Sequence, residues 1–213
     1  TVPTSILLAL VLAYILHHQV YCRKLLRRAF FIPYISSAVA LAAVFKFMFR
    51  DDGVINSILL ALGIKNPPQW FVSLQLNKIP IIVMVIWTAV GYELVIYMSA
   101  LQSVPTSLYE AADIDRATGM QKFFYITLPM VSPTTFYLVI VRMIAVFKIF
   151  SSVNIMTMGS PSYANTSMVV EIYGNAFGSY KFGYAAAQSM VLFVLILVIT
   201  LLNFWGQKKW VHY

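Results

Sequence analysis

Residues 79–101 read IPIIVMVIWTAVGYELVIYMSAL, an unbroken apolar run with one charge, Glu93, near its middle. A helix needs about 20 apolar residues to cross the hydrocarbon core of a bilayer, and this stretch is long enough. Four further runs flank it, at residues 3–16, 30–49, 130–150 and 184–205. None shows the roughly ten-residue alternation of a membrane barrel strand. The fold expected is therefore an all-α membrane protein, a polytopic helical bundle with five visible spans. Composition agrees, since 61% of the 213 residues are hydrophobic and 10% charged, against about 25% charged in a soluble domain. The mean hydropathy is +0.81. Residues 1–213 read as a single transmembrane domain.

The formal net charge of +8 could attract nucleic acid. The cations instead sit in short clusters between apolar runs, where they orient helices, and no soluble domain offers the basic face that nucleic acid requires. Arg23, Lys24, Arg27, Arg28, Arg116, Lys122, Lys208 and Lys209 fall on one side, against Arg50, Lys65, Lys78 and Lys181 on the other. The richer side is assigned to the cytoplasm. That puts Arg27, Lys209 and Glu110 inside, with Trp70 and Tyr163 outside. The first residue then lies outside, so at least one more helix is expected upstream of Thr1. The first run is not a signal peptide, because its basic residues follow the apolar segment. A lone cysteine, Cys22, excludes an intrachain disulfide, and His17, His18 and His212 lack ligand-like spacing. No metal site is expected.

The connection 102–129, QSVPTSLYEAADIDRATGMQKFFYITLP, is the one long segment on the cytoplasmic side. Pro105 with Thr106 or Ser107 supplies helix-start chemistry, Glu110, Asp113 and Asp115 load acid near that start, and Leu108, Ala111, Ala112 and Ile114 make an apolar face. A short amphipathic helix is expected, then a break at Thr118–Gly119, a second helical turn through Phe123 to Ile126, and Pro129 re-entering the membrane. Such a helix-turn-helix outside the bilayer can dock another protein or merely join two spans.

Glu110, Ala111 and Ala112, followed at fixed spacing by Ile126, Leu128 and Pro129, resemble the E-A-A-x3-G-x9-I-x-L-P loop of binding-protein-dependent ABC importer permeases. The likeness extends over nearly the whole chain and points to the maltose type of carbohydrate importer. Its further matches are Phe31-Ile32-Pro33, Gly53-Val54-Ile55-Asn56, Met156-Thr157 before Gly159 and Pro161, and Phe182-Gly183-Tyr184 followed by Ala185 to Ala187. The last two of these, together with Tyr173 to Phe177, resemble the longer of the two permease types. The resemblance implies a type I ABC importer transmembrane domain in a bacterial inner membrane, with residues 104–129 as the coupling loop. Glu110, Ala111, Ala112, Asp115, Arg116 and Gly119 would seat in the ATP-hydrolysing subunit. It also implies a second, related permease as heterodimer partner, two ATPase subunits and an extracytoplasmic binding protein delivering sugar. Arg116 stands where the pattern has Gly, and Gly119 is expected to take part of the break.

No G-x-x-x-x-G-K-[ST] pattern occurs, so this chain is expected to hold no cofactor and carry no catalytic residue; ATP and Mg belong to the partner ATPase. Charges near mid-bilayer cost about 2.5–3.5 kcal/mol and normally face a partner or an aqueous path. Glu93 and Arg142 lie at similar estimated depths and can pair with each other or line the pathway. Tyr92, Glu93, Tyr97 and Asn154 are the candidate pathway residues, because sugars suit aromatic rings beside carboxylates and amides. A permease for another solute such as glycerol phosphate is the nearest alternative. An ion-coupled secondary transporter, which needs internal repeats and coupling acids, is the alternative of another class.

Overall fold

A computed structural model describes residues 1–18, 23–73, 75–157 and 166–207. Cys22, Gly159, Pro161, Tyr163, Lys208, Lys209 and His212 lie outside the described residues. The described chain is helical, with no strand among its described residues. In order, the helices are α1 (Val2–His18), α2 (Arg23–Ile35), α3 (Ala38–Met48), α4 (Val54–Ala61), α5 (Ile79–Gln102), α6 (Thr106–Ile114), α7 (Gly119–Lys122), α8 (Leu128–Met130), α9 (Ser132–Phe147), α10 (Ser151–Thr157), α11 (Met168–Tyr173) and α12 (Phe182–Gln207). Two wider π turns, Phe123–Thr127 and Gly174–Gly178, are interposed.

Helices cover all five apolar runs. α5 and α12, with 24 and 26 residues, are each long and apolar enough to cross a membrane unbroken. α1 is a shorter apolar helix. The run at 30–49, expected as one span, is interrupted at Ser36 and Ser37. Pro33 has no N–H for the helical ladder, and the Ser37 side chain accepts from the Ala40 N–H, which starts a new helix. The expected span at 130–150 is likewise bent, by 65° at Val131 between residues 119–130 and 132–147. There the ring of Pro133 excludes the usual bond to the Pro129 carbonyl, which instead accepts from the Ser132 hydroxyl at 2.7 Å.

The chain forms two compact units. One comprises Thr1 with residues 35–88 and 144–197, the other residues 2–34, 89–143 and 198–213. In the first, Ala42, Phe45, Phe49, Met84 and Met156 form a buried core, with Trp70, Phe71 and Ile155 packed on it. Lys46 Nζ reaches the Ile155 carbonyl at 3.0 Å. The connection after Arg50 forms α4 and a knot around Asn56, whose side chain donates to the Asp51 and Pro68 carbonyls and accepts from Trp70 Nε1 at 2.7 Å.

In the second unit Leu94, Tyr97, Leu101, Val131 and Leu138 are buried with the Ala9 and Ala13 face of α1. Phe136 meets Phe204 edge to face at 5.2 Å, which ties α9 to the end of α12. Gly91 is required by close approach, because a Cβ there would lie 2.0 Å from the Phe30 carbonyl oxygen. The backbones of α2 and α5 therefore touch at this point.

Candidate functional site

The loop between α5 and α9 belongs wholly to the second unit. Pro105, with extended backbone, precedes α6, and Thr106 is its first helical residue; no side chain caps this start. The other end is more elaborate. Ala117 N–H bonds the Ala112 carbonyl at 2.8 Å and Arg116 N–H bonds the Asp113 carbonyl at 3.0 Å. These are the paired bonds of a Schellman terminus, in which the residue after the C-cap takes a left-handed conformation. Arg116 does so, with φ of 55°.

The break therefore lies at Arg116, and the expectation that Thr118–Gly119 supplies it is corrected. Two backbone bonds hold Arg116 in a conformation costing an L-residue roughly 1–2 kcal/mol. Thr118 instead starts α7 through a reciprocal box. Its hydroxyl accepts from the Gln121 N–H at 3.4 Å, and its own N–H donates to Gln121 Oε1 at 2.7 Å. Gly119 is the first residue of α7, and its carbonyl accepts from the Tyr14 hydroxyl of α1 at 3.2 Å.

Two links hold α6 against the following turns. Lys122 pairs with Asp113, and the Tyr109 and Thr127 hydroxyls share a hydrogen bond of 2.9 Å. Pro129 explains the intervening π turn, because a proline ring clashes with the carbonyl four residues back and a wider turn makes room. The result is a cleft of about 420 Å³ lined by Ala112, Asp115, Arg116, Ala117, Gln121, Lys122, Tyr125 and Ile126. Glu110, Ala111, Asp115 and Arg116 are exposed, and Ala112 is half-buried. Glu110 and Arg116 make no side-chain ion pair or hydrogen bond among the described residues. Ile114 is 84% and Tyr125 80% exposed, so an apolar fringe surrounds the cleft. Gln121, Lys122 and Tyr125 lie within the expected coupling loop but were not among the residues singled out for docking. The T-x-x-Q spacing of Thr118 and Gln121 is the signal that could have placed the second helix start.

The second unit also gathers three of the four pathway candidates. Glu93 is fully buried; Ser5 Oγ donates to its Oε1 at 3.0 Å, and Arg142 Nε stands 2.9 Å from the same oxygen. The Nε–H does not point along that line, and Glu93 Oε2 has no hydrogen bond among the described residues. The contact is thus an ion pair by proximity. Tyr97 is also fully buried, donating to Thr135 Oγ1 at 2.9 Å. Tyr92 is different. Its ring stacks on Tyr34 at 4.9 Å, its hydroxyl lies 3.3 Å from that of Tyr137, and both neighbours are 48% exposed. The aromatic surface is therefore Tyr34, Tyr92 and Tyr137, of which only Tyr92 was expected. Asn154 lies in α10 of the first unit.

Residues 5–210 match the family model described as binding-protein-dependent transport system inner membrane component. The chain is 34% identical to the lactose transport system permease protein LacF of Rhizobium radiobacter, over 98% of this chain and 72% of that protein. It is 32% identical to the sn-glycerol-3-phosphate transport system permease protein UgpA of Agrobacterium fabrum, over 100% of this chain and 73% of that one. Its fold superposes with a TM-score of 0.85 on a chain of a bacterial alginate ABC transporter in complex with an alginate pentasaccharide-bound periplasmic protein. That match has 24% identity and covers 94% of this chain and 71% of the other.

Proposed function

The chain belongs to the family of binding-protein-dependent transport system inner membrane components, and from that premise we propose that it forms one half of a heterodimeric pathway carrying a sugar or oligosaccharide inward. As the permease component it provides the path and not the chemistry. A partner ATPase, in two copies, binds ATP and Mg and hydrolyses the nucleotide. An extracytoplasmic binding protein delivers the solute, and a second, related permease completes the path.

One observation carries the coupling half of this reading: the exposed cleft between α6 and α7, whose aim is set by the Schellman turn at Arg116 and the Thr118–Gln121 box. A groove on the ATPase that grips this knob would pass nucleotide-driven closure to α5 and α9. The sugar half is supported by the relative named for lactose and by Tyr34, Tyr92 and Tyr137, whose rings offer faces for the C–H surface of a sugar. The relative named for sn-glycerol-3-phosphate keeps a phosphorylated polyol as the second reading. Competition of labelled oligosaccharides and glycerol phosphate for uptake separates the two.

Glu110→Lys tests the coupling. Uptake and co-purification of the ATPase are measured together, and both should fall while the subunit remains inserted. Normal uptake by this variant sinks the reading. Topology is tested by single cysteines in a background lacking Cys22, with positions 27 and 110 reactive from the cytoplasm and position 70 from outside. Outside labelling at position 116 overturns the orientation.

A further inference from the structure

α2 and α5 touch backbone to backbone where Phe30 crosses Gly91. Arg27 lies three residues before that crossing on α2, and Val95 lies four residues after it on α5. Beside the contact opens a cleft of about 380 Å³ lined by Arg27, Arg28, Phe31 and Val95, all within the second unit. Both arginines are exposed, and neither makes an ion pair or a hydrogen bond among the described residues. Phe31 and Val95 are half-buried and form the apolar wall.

A ligand that satisfies this cleft must be anionic at one end and hydrocarbon at the other. The guanidinium fork matches phosphate oxygens bidentately. Phe31 and Val95 would lie alongside methylene groups, which a free phosphate does not possess. The arginines precede the apolar stretch of α2, where headgroups of a bilayer sit, and basic pockets between spanning helices suit lipid headgroups. We propose that this cleft holds the headgroup phosphate of an anionic phospholipid, wedged between α2 and α5. The inference rests on the proposed topology only for its leaflet, the cytoplasmic one, and not on the nature of the transported solute. Because Gly91 fixes the crossing, an occupant here would brace α2 against the helix that carries Glu93 and leads into the coupling loop.

The test uses the assembled importer in nanodiscs of phosphatidylcholine, with and without phosphatidylglycerol. Thermal stability and lipid retained in native mass spectrometry are read together. Phosphatidylglycerol should raise the melting temperature by several degrees and be retained by the wild type, and both effects should vanish in Arg27→Gln/Arg28→Gln. Val95→Trp, which fills the cleft and leaves both charges in place, should lose retention as well. It carries the test if the double variant fails to insert. Equal retention by either variant overturns the proposal. Inorganic phosphate in neutral discs should do nothing; an equal stabilisation by phosphate would mark a free-anion site and also refute it. A crosslink from position 95 to the second permease in anionic discs would show protein covering the cleft, again against the lipid. Loss of retention with uptake unchanged leaves the transport reading intact.

Discussion

Arg142→Met should cost far more alone than in combination with Glu93→Gln. Glu93 is 0% exposed and the Arg142 side chain 14%, with Nε 2.9 Å from Oε1. At an effective dielectric of about 20, unit charges that close attract by about 6 kcal/mol, and lost hydration offsets much of this. The pair as a whole is therefore worth little, whereas an orphaned member is expensive. Arg142→Met leaves a buried carboxylate with Ser5 as its one donor among the described residues, and should cost about 3–5 kcal/mol. Glu93→Gln should fall at the low end of that range, because Arg142 keeps some exposure. The double variant, which removes both charges, should lose only about 1–2 kcal/mol, a coupling of about 4 kcal/mol or more. Thermal unfolding of the four proteins in one detergent measures the cycle, with uptake recorded beside it. Additive losses would refute the pairing.

Gly91→Ala places a methyl 2.0 Å from the Phe30 carbonyl oxygen, a backbone atom that cannot swing away. It should destabilise by about 1–3 kcal/mol or more, and an unchanged melting temperature would mean that the crossing is looser than described. Arg116→Gly should stabilise by about 0.5–1 kcal/mol, since relief of left-handed strain exceeds the extra freedom of glycine in the unfolded chain. A lower melting temperature would contradict this. Asn56→Ala strips Trp70 Nε1 and two carbonyls of their partner and should cost about 2–3 kcal/mol. Limited proteolysis within residues 50–78 should accelerate, and an unaltered cleavage rate would speak against the knot.

The apolar runs were legible because hydrocarbon thickness dictates their length, and the structure places helices over all of them. Where those helices break was less legible. Ser36–Ser37 and Val131 are set by which side chain captures a freed backbone group, a local competition that hydropathy does not register. The Glu93–Arg142 pair could be anticipated because two opposite charges at similar depth each need a partner. Tyr97, expected along the pathway, is instead buried with its hydroxyl on Thr135. Tyr34 and Tyr137 were missed because aromatics are 15% of the chain, and spacing alone does not tell which faces remain uncovered. At Arg116 the motif spacing offered a turn and the residue argued against it, so the break was expected at Thr118–Gly119. The hydrogen bonds of Arg116 and Ala117 decided in favour of the turn.

The π turn at Phe123–Thr127 holds one residue of slack. A π turn holds one residue more than an α turn closing the same bond, and each α residue advances the helix by about 100°. Deleting one residue from this turn would let it regularise into α-helix with its backbone bonds still made. Because the wider turn already takes up that extra residue within one revolution, α7 would keep nearly the same direction about the helix axis, and so would the cleft beside Arg116. A deletion from regular α-helix would instead swing the flanking segment by about 100°. An importer shortened by one residue within 123–127 would thus remain folded, inserted and in phase with its motor.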